Sequence, residues 1–425
     1  MATQSLGTPV LSSSALRSVN FFNGRLLTGD DLAGEQSAQE SRLRQLGQLT
    51  GAGVAYGLEV QETAGTSTTQ NPVVTVNAGL ALSLSGLSLW LPASVDLSLA
   101  GSGATTGTEP GGLFAPCQPY TAGTYTAGAG VYLLWMGPAS QGDGLAPVNG
   151  LGNQVAPCNV DDYIDTVTFG LIRIALTADQ LSKTDQLSNT QLVRNLVAYA
   201  CFAPDVLASL VSNPFGAAPS SYGLIDNLRS QLLTADQVPL AIIGWDDDNG
   251  IEFVDLWSVR RRVTPRAGEG AFGPVVSQRR RAEGEAMFLQ FQAQVQDYQA
   301  SQSTQPLVAT TQFAYLPPAG LLPAGTSTAS GTGPYSTFFS DLTVRGAVFI
   351  EGARVLPFLR ASLAYPPIDT SSPELVWLYT VRENAQPSSA GTATQYVIFA
   401  RGDLPYPANA HFDVAHWDYA NYALQ

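Results

Sequence analysis

The chain contains two histidines, and both fall in one short stretch, His411-Phe412-Asp413-Val414-Ala415-His416-Trp417-Asp418. Two imidazoles and two carboxylates this close could hold a transition metal, or supply the base for a serine or cysteine nucleophile. The spacing argues against both. In an extended backbone, positions 411 and 413 point to one face and 416 and 418 to the other. Neighbouring Trp417, Tyr419 and Tyr422 fit an aromatic packing patch instead. Asp246-Asp247-Asp248-Asn249-Gly250 invites a calcium reading but does not follow the EF-hand register, so a solvated hairpin tip is expected. Asp161, Asp162 and Asp165 read as caps or loop salt-bridge partners rather than a carboxylate site.

Cys117 and Cys158 each follow Ala-Pro, and could bridge across a loop or stay apart; with Cys201 they do not make a disulfide scaffold. Arg401-Gly402-Asp403 matches the integrin-binding tripeptide, but directly after a strand it reads as an ordinary turn. No Gly-x-Ser-x-Gly, Walker loop or dinucleotide-binding glycine pattern occurs. The sequence thus offers no catalytic, cofactor-binding or metal site, and a protein that is not an enzyme is expected.

Charge narrows the partners. The net charge is −14, and Lys183 is the one lysine. Nucleic-acid binding needs a basic footprint that displaces counterions from phosphates, so no nucleic-acid partner is expected. Arg260-Arg261-Arg262 and Arg279-Arg280-Arg281 are the local exceptions. They are expected to pair with the surplus carboxylates or to sit at subunit contacts.

The elements that would position these residues read as mainly β with α elements, an α+β multidomain chain. At 425 residues the chain is too long for one core. Gly (41) and Pro (27) favour many turns and short strands. Residues 1–53 form an arm and an adaptor helix. There a Phe21-Phe22 pair, expected to be buried, leads into an Asn23-Gly24 turn. Thr28 and Asp31 make a capping box, and a helix runs from Asp31 to about Leu49, with Leu32, Leu43, Leu46 and Leu49 as an incomplete apolar stripe.

Residues 54–176 read as a β-sandwich or meander domain with strands at 54–60, 73–77, 80–84, 87–91, 131–135 and 165–176, and Gly/Pro-rich loops at 100–128 and 137–160. Residues 177–263 read as a helical segment, closing near Ala203, a short helix over 224–233 and a hairpin around Asn249-Gly250. Residues 264–305 hold a linker and a helix from Gln278. Its Phe288, Phe291, Val295 and Tyr298 lie at 3-4-3 spacing, which suits either docking on a sheet or a short coiled-coil contact. Residues 306–425 read as a Pro/Gly linker over 316–334 and a separate small β domain, with Glu351-Gly352 at a hairpin turn.

The N-terminus lacks the charged-then-apolar pattern of a signal peptide, and no apolar run approaches about 18 residues, so synthesis in the cytoplasm without membrane insertion is expected.

Three stretches carry a resemblance. They are Val19-Asn-Phe-Phe-Asn-Gly-Arg-Leu-Leu-Thr-Gly-Asp-Asp-Leu32, then Gly53-Val-Ala-Tyr-Gly-Leu-Glu-Val60 with Ala78-Gly-Leu-Ala-Leu82, and Val238-Pro-Leu-Ala241 continuing to Phe253-Val-Asp-Leu-Trp-Ser-Val-Arg-Arg-Arg262. Over residues 19–263 the chain resembles a structural family of phage-tail-like contractile injection systems. The resemblance implies a non-enzymatic particle component in the baseplate or a peripheral fibre or cage layer. It implies neighbours among baseplate, sheath, tube or spike proteins, homo-oligomers matching three- or sixfold symmetry, release by lysis where release occurs, and contact with a target surface. An adhesin-like or carbohydrate-binding module, using Tyr406, Trp417, Tyr419 and Tyr422, is the competing expectation.

Overall fold

The computed structural model describes residues 16–69, 71–99, 130–147, 155–175, 189–204, 213, 223–246, 248–265, 278–301, 307–324, 335–381 and 395–404. His411, His416, Cys117, Tyr406, Trp417 and the 100–128 loop lie outside the described residues.

Helix α1 (Gly29–Thr50) starts at the predicted capping box: the Thr28 side chain accepts from the Asp31 amide while the Asp31 carboxylate accepts from the Thr28 amide. Six short strands follow: β1 (Gly53–Gly57), β2 (Val60–Glu62), β3 (Val73–Val76), β4 (Gly79–Leu82), β5 (Ser88–Leu91) and β6 (Val95–Ser98). They are not the simple meander that their alternation suggested. They form two antiparallel sheets, β1-β4-β5 and β2-β3-β6, with the chain passing back and forth between them. Gly57 makes the first passage possible. Its φ is +63°, and a Cβ there would lie 1.9 Å from the Ala78 carbonyl oxygen. Val54, Leu58, Val74, Val76, Ala81 and Leu89 fill the space between the sheets.

The next sheet spans the domain boundary expected after residue 176. Strands β7 (Gly130–Pro147), β8 (Val155–Ile174), β9 (Val238–Asp246) and β10 (Gly250–Asp255) pair in the order β10-β9-β7-β8. The hairpin at 238–255 therefore belongs with the strands at 130–174. Val131-Tyr132-Leu133-Leu134-Trp135 is a central strand, as its unbroken apolar run predicted. Alternate side chains feed two cores. Leu134 and Met136 pack with the first strands; Val131 and Leu133 pack with helices α2 (Thr190–Phe202) and α3 (Gly223–Arg229). The expected loop at 137–160 is instead largely strand, because β7 runs on to Pro147 and β8 begins at Val155. Asp162 and Asp165 therefore lie on a strand and are exposed, not capping loops.

Beyond helix α4 (Gln278–Ala300) come α5 (Ala309–Gln312), β11 (Tyr315–Leu316), β12 (Ala319–Ala324), α6 (Tyr335–Phe338), β13 (Thr343–Ile350), α7 (Gly352–Ser362), β14 (Ile368–Asp369), β15 (Leu375–Val381) and β16 (Gln395–Arg401). The main sheet has the order β12-β16-β15-β13. Two expectations are corrected here. The 316–334 linker contains strand β12, and Glu351-Gly352 is not a hairpin turn. It starts helix α7, so β13 and β15 run parallel, joined through that helix. Helix α4 covers one face of the sheet through Phe291 and Val295, and α7 covers the other through Phe358. The whole is a mainly β, α+β multidomain fold. Among the described residues no helix is long and apolar enough to cross a membrane.

Candidate functional site

Helix α1 has one polar and one apolar side, and it is mounted the wrong way round for a core helix. Its less exposed positions are Asp31, Glu35, Ala38, Ser41, Arg44 and Gly47, a track of small or polar residues that winds around the helix. Contacts to the rest of the chain run through that track. Glu35 accepts from the Val19 amide at 3.1 Å, and Arg44 lies 3.6 Å from Asp236. Gly47 sits on the β4–β5 turn so tightly that a Cβ would lie 2.1 Å from the Gly86 carbonyl oxygen. Nearby, Gln48 donates to the Ser85 carbonyl at 3.0 Å. Ala38 is the one fully buried residue of the helix.

The leucines lie off that track and are exposed. Leu43, Leu46 and Leu49 are 66%, 60% and 68% exposed, and Leu32 is also exposed. The lead-in segment adds Leu26 at 85%, with Leu27, Phe21 and Phe22. The aromatic pair expected to be buried is thus open to water. Together these eight side chains expose roughly 800 Å² of apolar surface, the area that one partner brings to a standard interface. Spread along the lead-in and the helix, this is more exposed apolar surface than scattered single side chains account for.

This segment is ordered by local chemistry. Arg25 reaches both the Asn20 carbonyl, at 3.0 Å, and Asp31, at 2.5 Å. Backbone and side-chain hydrogen bonds from Thr28 hold the Asp31 carboxyl below its usual range, and the Arg25 guanidinium adds to the effect.

The arginine clusters lock the modules together. Arg260 donates to the Gly57 carbonyl at 2.6 Å and pairs with Glu59 at 3.4 Å. Arg261 binds the Trp257 and Ser258 carbonyls and stacks over Phe202, 4.8 Å from the ring centroid. Arg262 pairs with Glu285 at 2.9 Å. The backbone of this run holds β1, since the Val54 amide donates to the Arg261 carbonyl at 2.8 Å. Arg279 pairs with Asp226 at 2.6 Å and Glu283 at 2.9 Å, and buried Arg280 donates to the Tyr365 carbonyl. The expected pairing with surplus carboxylates thus holds for Arg260, Arg262 and Arg279, while Arg261 and Arg280 serve backbone carbonyls.

A buried polar network lies behind them. Arg194 contacts Asp255 and Asp297, each at 2.6 Å. Asp255 also accepts from the Ser258 amide and hydroxyl and from Gln290. Burial works to lower the Arg194 pKa, but the two carboxylates outweigh it and the net direction is upward. Asn195 accepts from the Ala314 and Tyr315 amides and donates to the Tyr315 carbonyl, pairing with that backbone as a strand would.

Other sequence candidates are explained by local structure. The Asp246 carboxylate accepts from the Asp248 and Asn249 amides, closing the hairpin tip; Asp247 lies outside the described residues. Arg401 bonds Asp403 and Glu374, so Arg-Gly-Asp is a turn after β16. Among the described residues, no group of three or more His, Cys, Asp or Glu side chains could hold a metal. A cavity of about 70 Å³, lined by Cys201, Asp226, Arg229, Arg279 and Glu283 among others, has room for a few waters. Burial pushes the Cys201 thiol up to about 12, far from the thiolate that a nucleophile needs. Compared with known proteins, the chain matches no protein-family model and no curated protein.

Proposed function

We propose that this protein is a non-enzymatic structural component of a phage-tail-like contractile injection particle, in its baseplate or a peripheral fibre or cage layer. Its N-terminal adaptor docks on neighbouring subunits. The observation that carries the proposal is the reversed mounting of α1, with polar residues against its own chain and leucines toward solvent. Such a helix is finished only when a partner covers it. The arginine clusters support the same reading, because they spend their charge on holding modules in fixed relation rather than on a ligand. In this reading the particle assembles in the cytoplasm and is released by lysis where release occurs.

Leu43→Asp with Leu46→Asp tests the docking face. Particles assembled with this variant should sediment without it, while the purified variant keeps the wild-type circular dichroism spectrum. Full stoichiometric co-sedimentation of the variant would remove the docking assignment.

A further inference from the structure

The β7–β8 hairpin outgrows the sheet to which it belongs. Strand β9 pairs with β7 only from Gly130 to Met136. Past that point, Gly137–Pro147 of β7 has β8 as its sole strand partner among the described residues. This free ribbon is roughly 35 Å long at about 3.3 Å per residue. A two-stranded ribbon alone in water is marginal, so its persistence calls for a further partner.

Its chemistry narrows what that partner is. No lysine, arginine or histidine occurs between Gly137 and Thr168. Asp143 stands directly opposite Asp162, a like-charge pair that weakens a hairpin left to itself. Asp165 is also exposed, and none of these three carboxylates has an ion-pair partner among the described residues. Tyr163, at 71% exposure, and Ile164, at 51%, project to opposite faces of the ribbon. Each face therefore offers a carboxylate and an apolar side chain. The two long edges differ. The β7 edge is blunted by Pro138 and Pro147, whereas β8 from Cys158 to Thr168 has no proline.

The same chain carries an edge of opposite character. Strand β13 is the outermost strand of the C-terminal sheet, and no described strand pairs with its far side. Its sequence, Thr343-Val-Arg-Gly-Ala-Val-Phe-Ile350, is apolar and β-branched, with Arg345 its one charge. Arg345 is exposed, and Phe349 is 53% exposed. An edge this apolar is ready to take on another strand.

We propose that the β8 edge of the ribbon in one copy adds to the β13 edge of a second copy, with the acidic ribbon against Arg345. Strand addition would satisfy backbone groups on both edges, and charge would select the pairing. The contact joins unlike surfaces, so repeating it from copy to copy gives a ring or a helical stack. It deepens the assembly reading by naming a second copy as a partner, and it does not use the α1 face.

The test uses the purified full-length chain without particles, read by sedimentation equilibrium. Asp162→Arg with Asp165→Arg, and separately Arg345→Asp, should each weaken self-association about tenfold or more, the scale of losing close interfacial charge pairs. The chain carrying all three substitutions should recover most of the wild-type constant, because the attraction is restored with its signs exchanged. All the altered side chains are exposed, and unchanged thermal midpoints would confirm intact folds. The proposal is overturned if the wild type stays monomeric at roughly 100 µM, if the single-surface variants associate like wild type, or if the combined variant does no better than the weaker of them. Leu43→Asp with Leu46→Asp should self-associate normally here, so failure of this contact and failure of particle docking are separate results.

Discussion

Helices α1 and α4 are almost the same length, 22 and 23 residues, and both are rich in Gln. Each carries a sparse apolar stripe, and each meets its own chain through a glycine. Gly47 rests on the Gly86 carbonyl; Gly284 rests on the Leu363 carbonyl, where a Cβ would lie 2.0 Å away. The difference is how much of the helix around that glycine is covered. In α4 the glycine, Met287, Phe291 and Val295 share the buried side, and nine residues are buried. In α1 the leucines on either side of the glycine, Leu43, Leu46 and Leu49, stay exposed, and only Ala38 is buried. A glycine that permits close backbone approach fixes where a helix touches its own chain, but not whether its apolar stripe is covered there. For α4 the stripe completes an internal core, which settles the choice between sheet docking and a coiled-coil contact in favour of docking. For α1 the stripe is left over.

That contrast can be attacked first where the larger effects lie, in α4. Phe291 is fully buried and its ring lies 5.2 Å from Phe399 and 5.4 Å from Phe313. Phe291→Ala should cost about 3–5 kcal/mol in denaturant unfolding, the range for emptying a core aromatic site. Asp255→Ala should cost a similar amount, about 3–5 kcal/mol, because it breaks a buried ion pair and leaves Arg194 and Gln290 underpaired. A loss below ~1 kcal/mol in either case would mean that α4 is not the interior helix described here.

Next comes the point where α1 touches the body. Gly47→Ala puts a methyl group against the Gly86 carbonyl, and overpacking of this kind costs about 1–3 kcal/mol. Because the contact is local, the expected signature is loss of amide-exchange protection at Ser85–Leu87 and in the last turns of α1, while the C-terminal sheet stays protected. Uniform loss across the chain would mean that α1 is part of the cooperative core.

Most of the individual elements were legible in the sequence, but their partnerships were less so. The capping box at Thr28 and Asp31, the hairpin at Asn249-Gly250 and the central strand at Val131 follow from local rules acting on adjacent residues. The pairing of β7 with β9 was not visible, since it joins residues about a hundred positions apart and any apolar strand could have filled that place. The ribbon was missed because Gly and Pro at 137–160 read as breakers, although two antiparallel strands can hold such residues when each supplies the other's hydrogen bonds. Helix α7 was missed at Glu351-Gly352 because an acidic residue before glycine fits a tight turn as well as a helix start. Of the candidate site, the four leucines were found. Their direction was not, because a stripe shows that a helix has an apolar side without showing whether its own chain covers it.

The smallest effect concerns how α1 is held at its start. Helix α4 is kept by packing along its length, whereas the first turn of α1 depends on its cap. Hydrogen bonds from Thr28 and the Arg25 charge lower the Asp31 pKa below its ordinary value of 3.8. A carboxylate lowered on folding stabilises the folded form above its unfolded pKa and gives that up as pH falls through the folded value. The first turn of α1 should therefore lose exchange protection only below about pH 4, with no change between pH 5 and 8. Asp31→Asn should leave the turn equally frayed throughout that range, with no acid transition of its own. An acid transition that survives in Asp31→Asn would assign the effect to another carboxylate. Fraying of α4 in the same pH window would end the contrast between a helix started by its cap and one held by its core.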